Sequence, residues 1–186
     1  YGGDVFALIL PEVDRAGGAA RLEELRRSLR TLDPALAAAS GVRFERNPAN
    51  LGFIGSCNRG AELARGEFLV FLNNDTIPQS GWLNALVAEA EGDAAVGIVG
   101  SKLLYPDGTI QHAGVVRDCQ YLLPYHIYKS FAGEHPAVNQ RREFQIVTAA
   151  CLLIRRSLFE EVGKFDEGYL NGLEDADLCL KVRERG

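Results

Sequence analysis

Three groups of polar residues in this 186-residue chain have types and spacing that could do chemistry. The first is Asn73-Asn74-Asp75, which directly follows the apolar run Phe68–Leu72. Open α/β sheets place their ligands just beyond the C-terminal ends of buried strands. A carboxylate there can hold Mg²⁺ or Mn²⁺, hard ions that take oxygen ligands and bridge diphosphates. The second group is Glu174-Asp175-Ala176-Asp177, whose carboxylates open a helix where the helix dipole favours negative charge. One of them, facing a cleft, could accept a proton from a substrate hydroxyl. The third is Asn50-Leu51-Gly52-Phe53 with Asn58-Arg59-Gly60, where glycines at 52, 55 and 60 allow close approach of backbone to a ligand.

Taken singly, each group has a plainer explanation. Asn-Asn-Asp-Thr is good turn chemistry, and acidic residues belong at helix N-termini without any further role. The glycines serve tight packing of a helix on a sheet as well as they serve a phosphate, and they form neither G-x-G-x-x-G nor a Walker loop.

The elements that must position these residues alternate. Residues 5–10 form an apolar run ended by Pro11, as a buried parallel strand would be. Leu22, Leu25, Leu29 and Leu32 follow at helical spacing, and a short strand is expected over 42–44. Cys57, Ala61 and Ala64 fit one face of a small-residue helix ending at Gly66, and Phe68–Leu72 is a second buried strand. Ser80 is placed to cap a helix with Leu83, Leu86, Val87 and Ala90 inward, and residues 96–99 form another strand. After the turn at Pro106-Asp107-Gly108, residues 110–145 read as irregular. A strand over 151–154, a short helix capped by Ser157, a loop over 163–171 and a last helix from about Glu174 complete the chain. This alternation predicts an α/β fold with a mostly parallel sheet flanked by helices. It is read as a single domain over 1–186, with a nucleotide-binding first half (about 1–104) and a more variable second half (about 105–186).

Composition excludes several alternatives. The net charge is −5, with 20 Lys and Arg against 25 Asp and Glu spread along the chain, so the basic patch of a nucleic-acid binder is missing. Cys57, Cys119, Cys151 and Cys179 form no C-x-x-C pair and read as reduced thiols in or near the core. His112, His126 and His135 lack zinc-site spacing, and a lone histidine such as His112 is read as a structural hydrogen-bonder. No apolar run approaches the roughly 20 residues of a membrane span. The chain has no methionine and reads as a domain incomplete at both ends.

In combination the groups say more than they do singly. The stretches NPANLGFIGSCNRGAELARGEFLVFLNNDT, GWLNALV, VGIVGSKLLYPDGTIQHAG, TAACLLIRRSLFEEVGKFDEGY and NGLEDADLCLKVRERG, in that order, resemble family 2 glycosyltransferases of the GT-A fold, especially the bacterial rhamnosyltransferase-like subgroup. The resemblance covers roughly residues 41–186. It implies an inverting, metal-dependent hexosyl- or deoxyhexosyltransferase, moving a sugar from a nucleotide-diphosphate donor to an acceptor hydroxyl in cell-surface polysaccharide or O-antigen synthesis.

Residue by residue, the resemblance makes Asn73-Asn74-Asp75 the D-x-D-like triplet. Asp75 would face Mg²⁺ or Mn²⁺, and Asn73 would offer an amide to the ribose or a phosphate. Asp175 would be the general base, with Glu174 beside it shaping the acceptor site. Asn50, Gly52, Asn58 and Arg59 would line the nucleotide pocket, and Trp82 reads as packing. The implied partners are the nucleotide sugar and a saccharide or lipid-linked acceptor, with no nucleic acid. The implied location is cytoplasmic, at the inner face of the membrane.

The chain departs from the family pattern before residue 41, where one strand–helix unit stands in place of two. Glu12 or Asp14 is therefore open as the residue that reads the base. Asn73 in place of a first Asp leaves a second reading, a catalytically silent nucleotide-sugar-binding module of the same fold. A third, a dinucleotide-dependent oxidoreductase, lacks the glycine fingerprint.

Overall fold

The computed structural model describes residues 47–73, 75–120, 123–170 and 172–186. The expected strands at 5–10 and 42–44, the leucine-faced helix between them, Glu12, Asp14 and Asn74 lie outside the described residues.

Helix α1 (Gly52–Leu63) leads into strand β1 (Phe68–Leu72), and helix α2 (Trp82–Gly92) into β2 (Ile98–Gly100). Four short strands follow: β3 (Leu103–Leu104), β4 (Ile110–His112), β5 (Val115–Arg117) and β6 (Pro124–His126). Strand β7 (Cys151–Arg155), helix α3 (Arg156–Glu161) and helix α4 (Glu174–Glu184) complete the described chain. Strands β1, β7 and β2 form one sheet in that order, with β7 antiparallel to both neighbours. Strands β1 and β2 thus run in the same direction, and β7, also expected as a strand, reverses between them.

An all-apolar strand needs cover on both faces, and β1 has it. Leu69 and Phe71 join Leu152 and Ile154 of β7 on one face, packed with Ile54 and Cys57 of α1, Phe159 of α3, Phe165, and Leu178 of α4. Phe68, Val70 and Leu72 join Cys151 and Leu153 on the other, against Leu83, Leu86 and Ala90 of α2. Phe71, Phe159 and Phe165 meet as a ring trio with centroids 5.0–5.4 Å apart, a separation suited to edge-to-face packing. Trp82 packs against the α2 side of the core, as its helical position suggested.

The segment 110–145 is more regular than its sequence implied. β3 pairs with β4, β5 pairs with β6, and Val115 bridges to Ile146. Runs of two or three residues are too short for a periodic signal. The expected hydroxyl caps are also not used. Gly81 (φ 74°) caps α2 and Arg155 caps α3, neither with a side-chain hydrogen bond. Of the thiols, Cys57, Cys151 and Cys179 are buried, whereas Cys119 is exposed.

Candidate active site

The site grows from the end of β1. Asn73 N–H donates to the Ala150 carbonyl at 2.9 Å, which extends the ladder with β7 by one bond. The Asn73 carbonyl then accepts from Thr76 N–H at 3.3 Å and Thr76 Oγ at 2.7 Å, closing a tight turn. The turn leaves Asp75 exposed at the strand end. It also leaves Asn73 Oδ1 buried with no hydrogen-bond partner among the described residues. Such an orphan acceptor costs about 1–3 kcal/mol, so it marks a place where a ligand atom would be welcome.

A second arm comes from α4, entered through Leu173 in the left-handed region (φ 73°). Asp175 Oδ2 accepts from Ala149 N–H at 3.2 Å and Oδ1 from Ala176 N–H at 2.8 Å. The two arms therefore meet on consecutive residues: Ala149 holds Asp175, and Ala150 holds Asn73. Glu174, one residue earlier, turns towards α1. Its charge, after burial, helps push the Cys57 thiol up to about 12, and its Oε2 is buried with no hydrogen-bond partner among the described residues. Asp177, half-buried, pairs with Lys181 at 2.6 Å one turn along the helix.

A third arm contains His112, expected as a structural hydrogen-bonder, in a pairing that was not foreseen. His112 of β4, only 2% exposed, places Nδ1 3.0 Å from Nδ1 of the exposed His126 of β6. His112 Nε2 accepts a long hydrogen bond, 3.5 Å, from Thr148 N–H. Burial first, then the neighbouring His126, lowers the His112 pKa to about 4. His126 is also lowered, chiefly by burial, while the Asp175 charge works in the opposite direction. No spacing rule joins histidines 14 residues apart, so only the β4–β6 fold brings this pair beside Asp175.

The α1 residues divide. Asn50 Oδ1 accepts from Gly52 N–H at 2.8 Å, forming the turn into α1, and Gly52 sits at φ 64°, where a glycine is favoured. Asn58 is buried and clamps the loop after α3: its Nδ2 donates to the Phe165 carbonyl (2.9 Å) and Glu167 (3.3 Å), and its Oδ1 accepts from Phe165 N–H (3.2 Å). The structure thus gives its amide a fold-holding task that its place beside Arg59 did not suggest. Arg59 is half-buried on the same helix and close enough to Glu62 to favour that carboxylate, after the larger effect of Lys164.

Among the described residues no three His, Cys, Asp or Glu side chains converge as a metal site. Among the described residues, the β1 end offers one carboxylate and one orphan amide oxygen. That donor set fits a divalent ion that keeps most of its ligands from water and a diphosphate, as Mg²⁺ does, and Mn²⁺ shares its preference for oxygen.

Comparison with known proteins bears on this arrangement. Residues 27–163 match the model of glycosyl transferase family 2. The chain belongs to that family. Among the family's relatives, the O-antigen biosynthesis protein RfbC of Myxococcus xanthus is 37% identical over 134 residues, covering 69% of this chain and 10% of the relative. The N-acetylglucosaminyl-diphospho-decaprenol L-rhamnosyltransferase of Mycobacterium tuberculosis is 26% identical over 166 residues, covering 78% of this chain and 54% of the relative. The chain therefore spans a tenth to about half of the length of these relatives. A mannosyltransferase from Pyrobaculum calidifontis, solved in complex with GDP-Man and Mn²⁺, superposes with a TM-score of 0.62 at 15% identity, over 98% of this chain and 52% of its own. The fold of this family 2 chain is GT-A.

Proposed function

We propose that this domain is an inverting glycosyltransferase that moves a hexosyl or deoxyhexosyl group from a nucleotide-diphosphate sugar to an acceptor hydroxyl. The observation that carries the reading is the meeting of Asp175 and the Asn73–Asp75 turn on Ala149 and Ala150. In this reading a proton acceptor and a diphosphate site share one short stretch of backbone. Asp175 is held by two N–H groups yet keeps a further lone pair on each oxygen. It takes the proton of the acceptor hydroxyl as that oxygen attacks the anomeric carbon. The bond from that carbon to the diphosphate breaks on the opposite face, its electron pair leaves with the nucleotide, and the configuration inverts.

Asp75 and the Asn73 amide oxygen would hold Mg²⁺ or Mn²⁺ together with the donor phosphates. Such an ion, when bound, neutralises charge building on the leaving group. Arg59, Asn50 and Gly52 belong to the donor side in this reading, and the buried Glu174 Oε2 accepts a hydrogen bond from the acceptor. The named activities of the relatives favour a role in cell-surface polysaccharide or O-antigen assembly, on a saccharide or lipid-linked acceptor at the cytoplasmic face of a membrane.

A two-way screen tests the proposal. UDP-, GDP- and dTDP-sugars are incubated with Mg²⁺ or Mn²⁺ and p-nitrophenyl glycosides of glucose, galactose, N-acetylglucosamine and rhamnose. Product anomeric configuration is read by proton NMR. Transfer with inversion supports the reading, and retention contradicts it. Nucleotide-sugar binding with neither transfer nor hydrolysis would favour the silent binding module, consistent with Asn73 in place of an acidic residue.

A further inference from the structure

The His112–His126 pair carries an inference that rests on Asp175 being the base. His112 is buried and held neutral, and its Nε2 accepts from Thr148 N–H. A neutral imidazole has one donor and one acceptor nitrogen, so the His112 proton lies on Nδ1 and is donated to His126 Nδ1 across 3.0 Å. His126 Nδ1 is then the acceptor, and its own proton must lie on Nε2. The buried histidine thereby fixes the tautomer of the exposed one.

His126 stands on β6, with Val115 of β5 as its cross-strand partner. Val115 in turn bridges to Ile146, three residues before Ala149. The negative charge of Asp175 reaches the His126 ring. An exposed N–H donor with a fixed tautomer, anchored to the same backbone as the base, suits a neutral polyhydroxylated ligand. We propose that His126 is an acceptor-binding residue, its Nε2–H donating a hydrogen bond to a hydroxyl of the saccharide acceptor next to the one deprotonated by Asp175. His112 is the positioning residue that holds His126 in this donor state.

Two substitutions at the exposed His126 separate this role from a structural one, because each amide keeps one nitrogen's function. His126→Gln places an N–H near Nε2 and loses the acceptor that His112 uses. His126→Asn keeps an acceptor near Nδ1 and loses the outward donor. With the p-nitrophenyl glycoside and nucleotide sugar of the screen above, His126→Asn should raise the acceptor KM about tenfold or more, the expected cost of a lost hydrogen bond of about 1.5 kcal/mol. Its donor KM should stay unchanged, and His126→Gln should remain within a few-fold of the parent. The reverse order, with His126→Asn like the parent and His126→Gln impaired, would show that the pair only braces the fold, and equal acceptor KM values in all three proteins would also overturn the proposal.

Ring ¹⁵N NMR at pH 7.5 gives a substrate-free check. The Nε2–H tautomer of His126 is expected, and the Nδ1–H tautomer would refute the proposal. Asp175→Asn run alongside keeps the two claims apart. If it transfers normally, the base assignment fails. If it is inactive while His126→Asn matches the parent, the His126 proposal fails alone.

Discussion

Asp175 and His112, 63 residues apart in sequence, accept hydrogen bonds from adjacent backbone amides: Asp175 Oδ2 from Ala149 N–H at 3.2 Å and His112 Nε2 from Thr148 N–H at 3.5 Å. The next residue, Ala150, accepts from Asn73 N–H. One stretch entering β7 therefore sets the relative positions of the acidic helix start, the histidine pair and the β1 turn. Because β7 is buried between β1 and β2, this stretch has a rigid base, which a site of fixed geometry requires.

Asp75→Ala should leave thermal stability nearly unchanged, within about 0.5 kcal/mol, as expected for an exposed residue outside the core. Isothermal titration should show UDP, GDP or dTDP affinity falling about tenfold or more in Mn²⁺ but little in chelator. Equal affinities for parent and variant with Mn²⁺ present would remove Asp75 from the metal site.

Arg59→Ala should raise the dissociation constant of the same nucleotide about tenfold or more, since a charged hydrogen bond contributes about 1.5–3 kcal/mol. An unchanged constant would remove Arg59 from the donor site.

Asn58→Ala strands the N–H and C=O of Phe165 in the core. At about 1–3 kcal/mol for an orphaned buried group, the expected loss is about 2–4 kcal/mol, a Tm decrease of roughly 5–15 °C for a chain of this size. Donor affinity should hold at temperatures where the variant is folded. A lowered affinity with an unchanged Tm would return Asn58 to the donor pocket.

Acid should destabilise the fold through His112. Its folded-state pKa, about 4 against an ordinary 6.5, means that the unfolded chain takes up the proton first. Stability from this group is unaffected above about pH 6.5 and is lost as pH falls towards 4, by up to about 3 kcal/mol. Urea unfolding at intervals from pH 7.5 to 4.5 should therefore show a shallower pH dependence for His112→Asn than for the parent. Parallel pH curves would contradict this.

The strands β1 and β7 were readable because an unbroken apolar run buried on both faces leaves no alternative placement. Glu174 was readable as the start of α4, because its carboxylates complement the helix dipole. The reversal of β7 was not, since an apolar run carries no direction. Nor was the clamping role of Asn58, since an amide looks the same in sequence whether it meets a ligand or the backbone of Phe165. The caps at Ser80 and Ser157 failed for a related reason: a hydroxyl permits a cap, but the N-cap positions fall on Gly81 and Arg155, one residue after Ser80 and two before Ser157. The His112–His126 pair lay beyond sequence reading because strands of three residues have too little periodicity to register.

The most direct measurement compares transfer and donor binding in Asp175→Asn and Asp177→Asn. Asparagine keeps the size of Asp175 and can still accept from one backbone N–H, but it cannot take a proton at neutral pH. Asp177 carries the same charge but is paired with Lys181 and lies two residues on, off the Asp175 face of the helix. With Asp175 as the base, Asp175→Asn should lower kcat by about 10²–10⁴-fold with nucleotide-sugar affinity nearly intact, while Asp177→Asn transfers like the parent. Full transfer by Asp175→Asn in a preparation that binds donor normally would contradict the assignment.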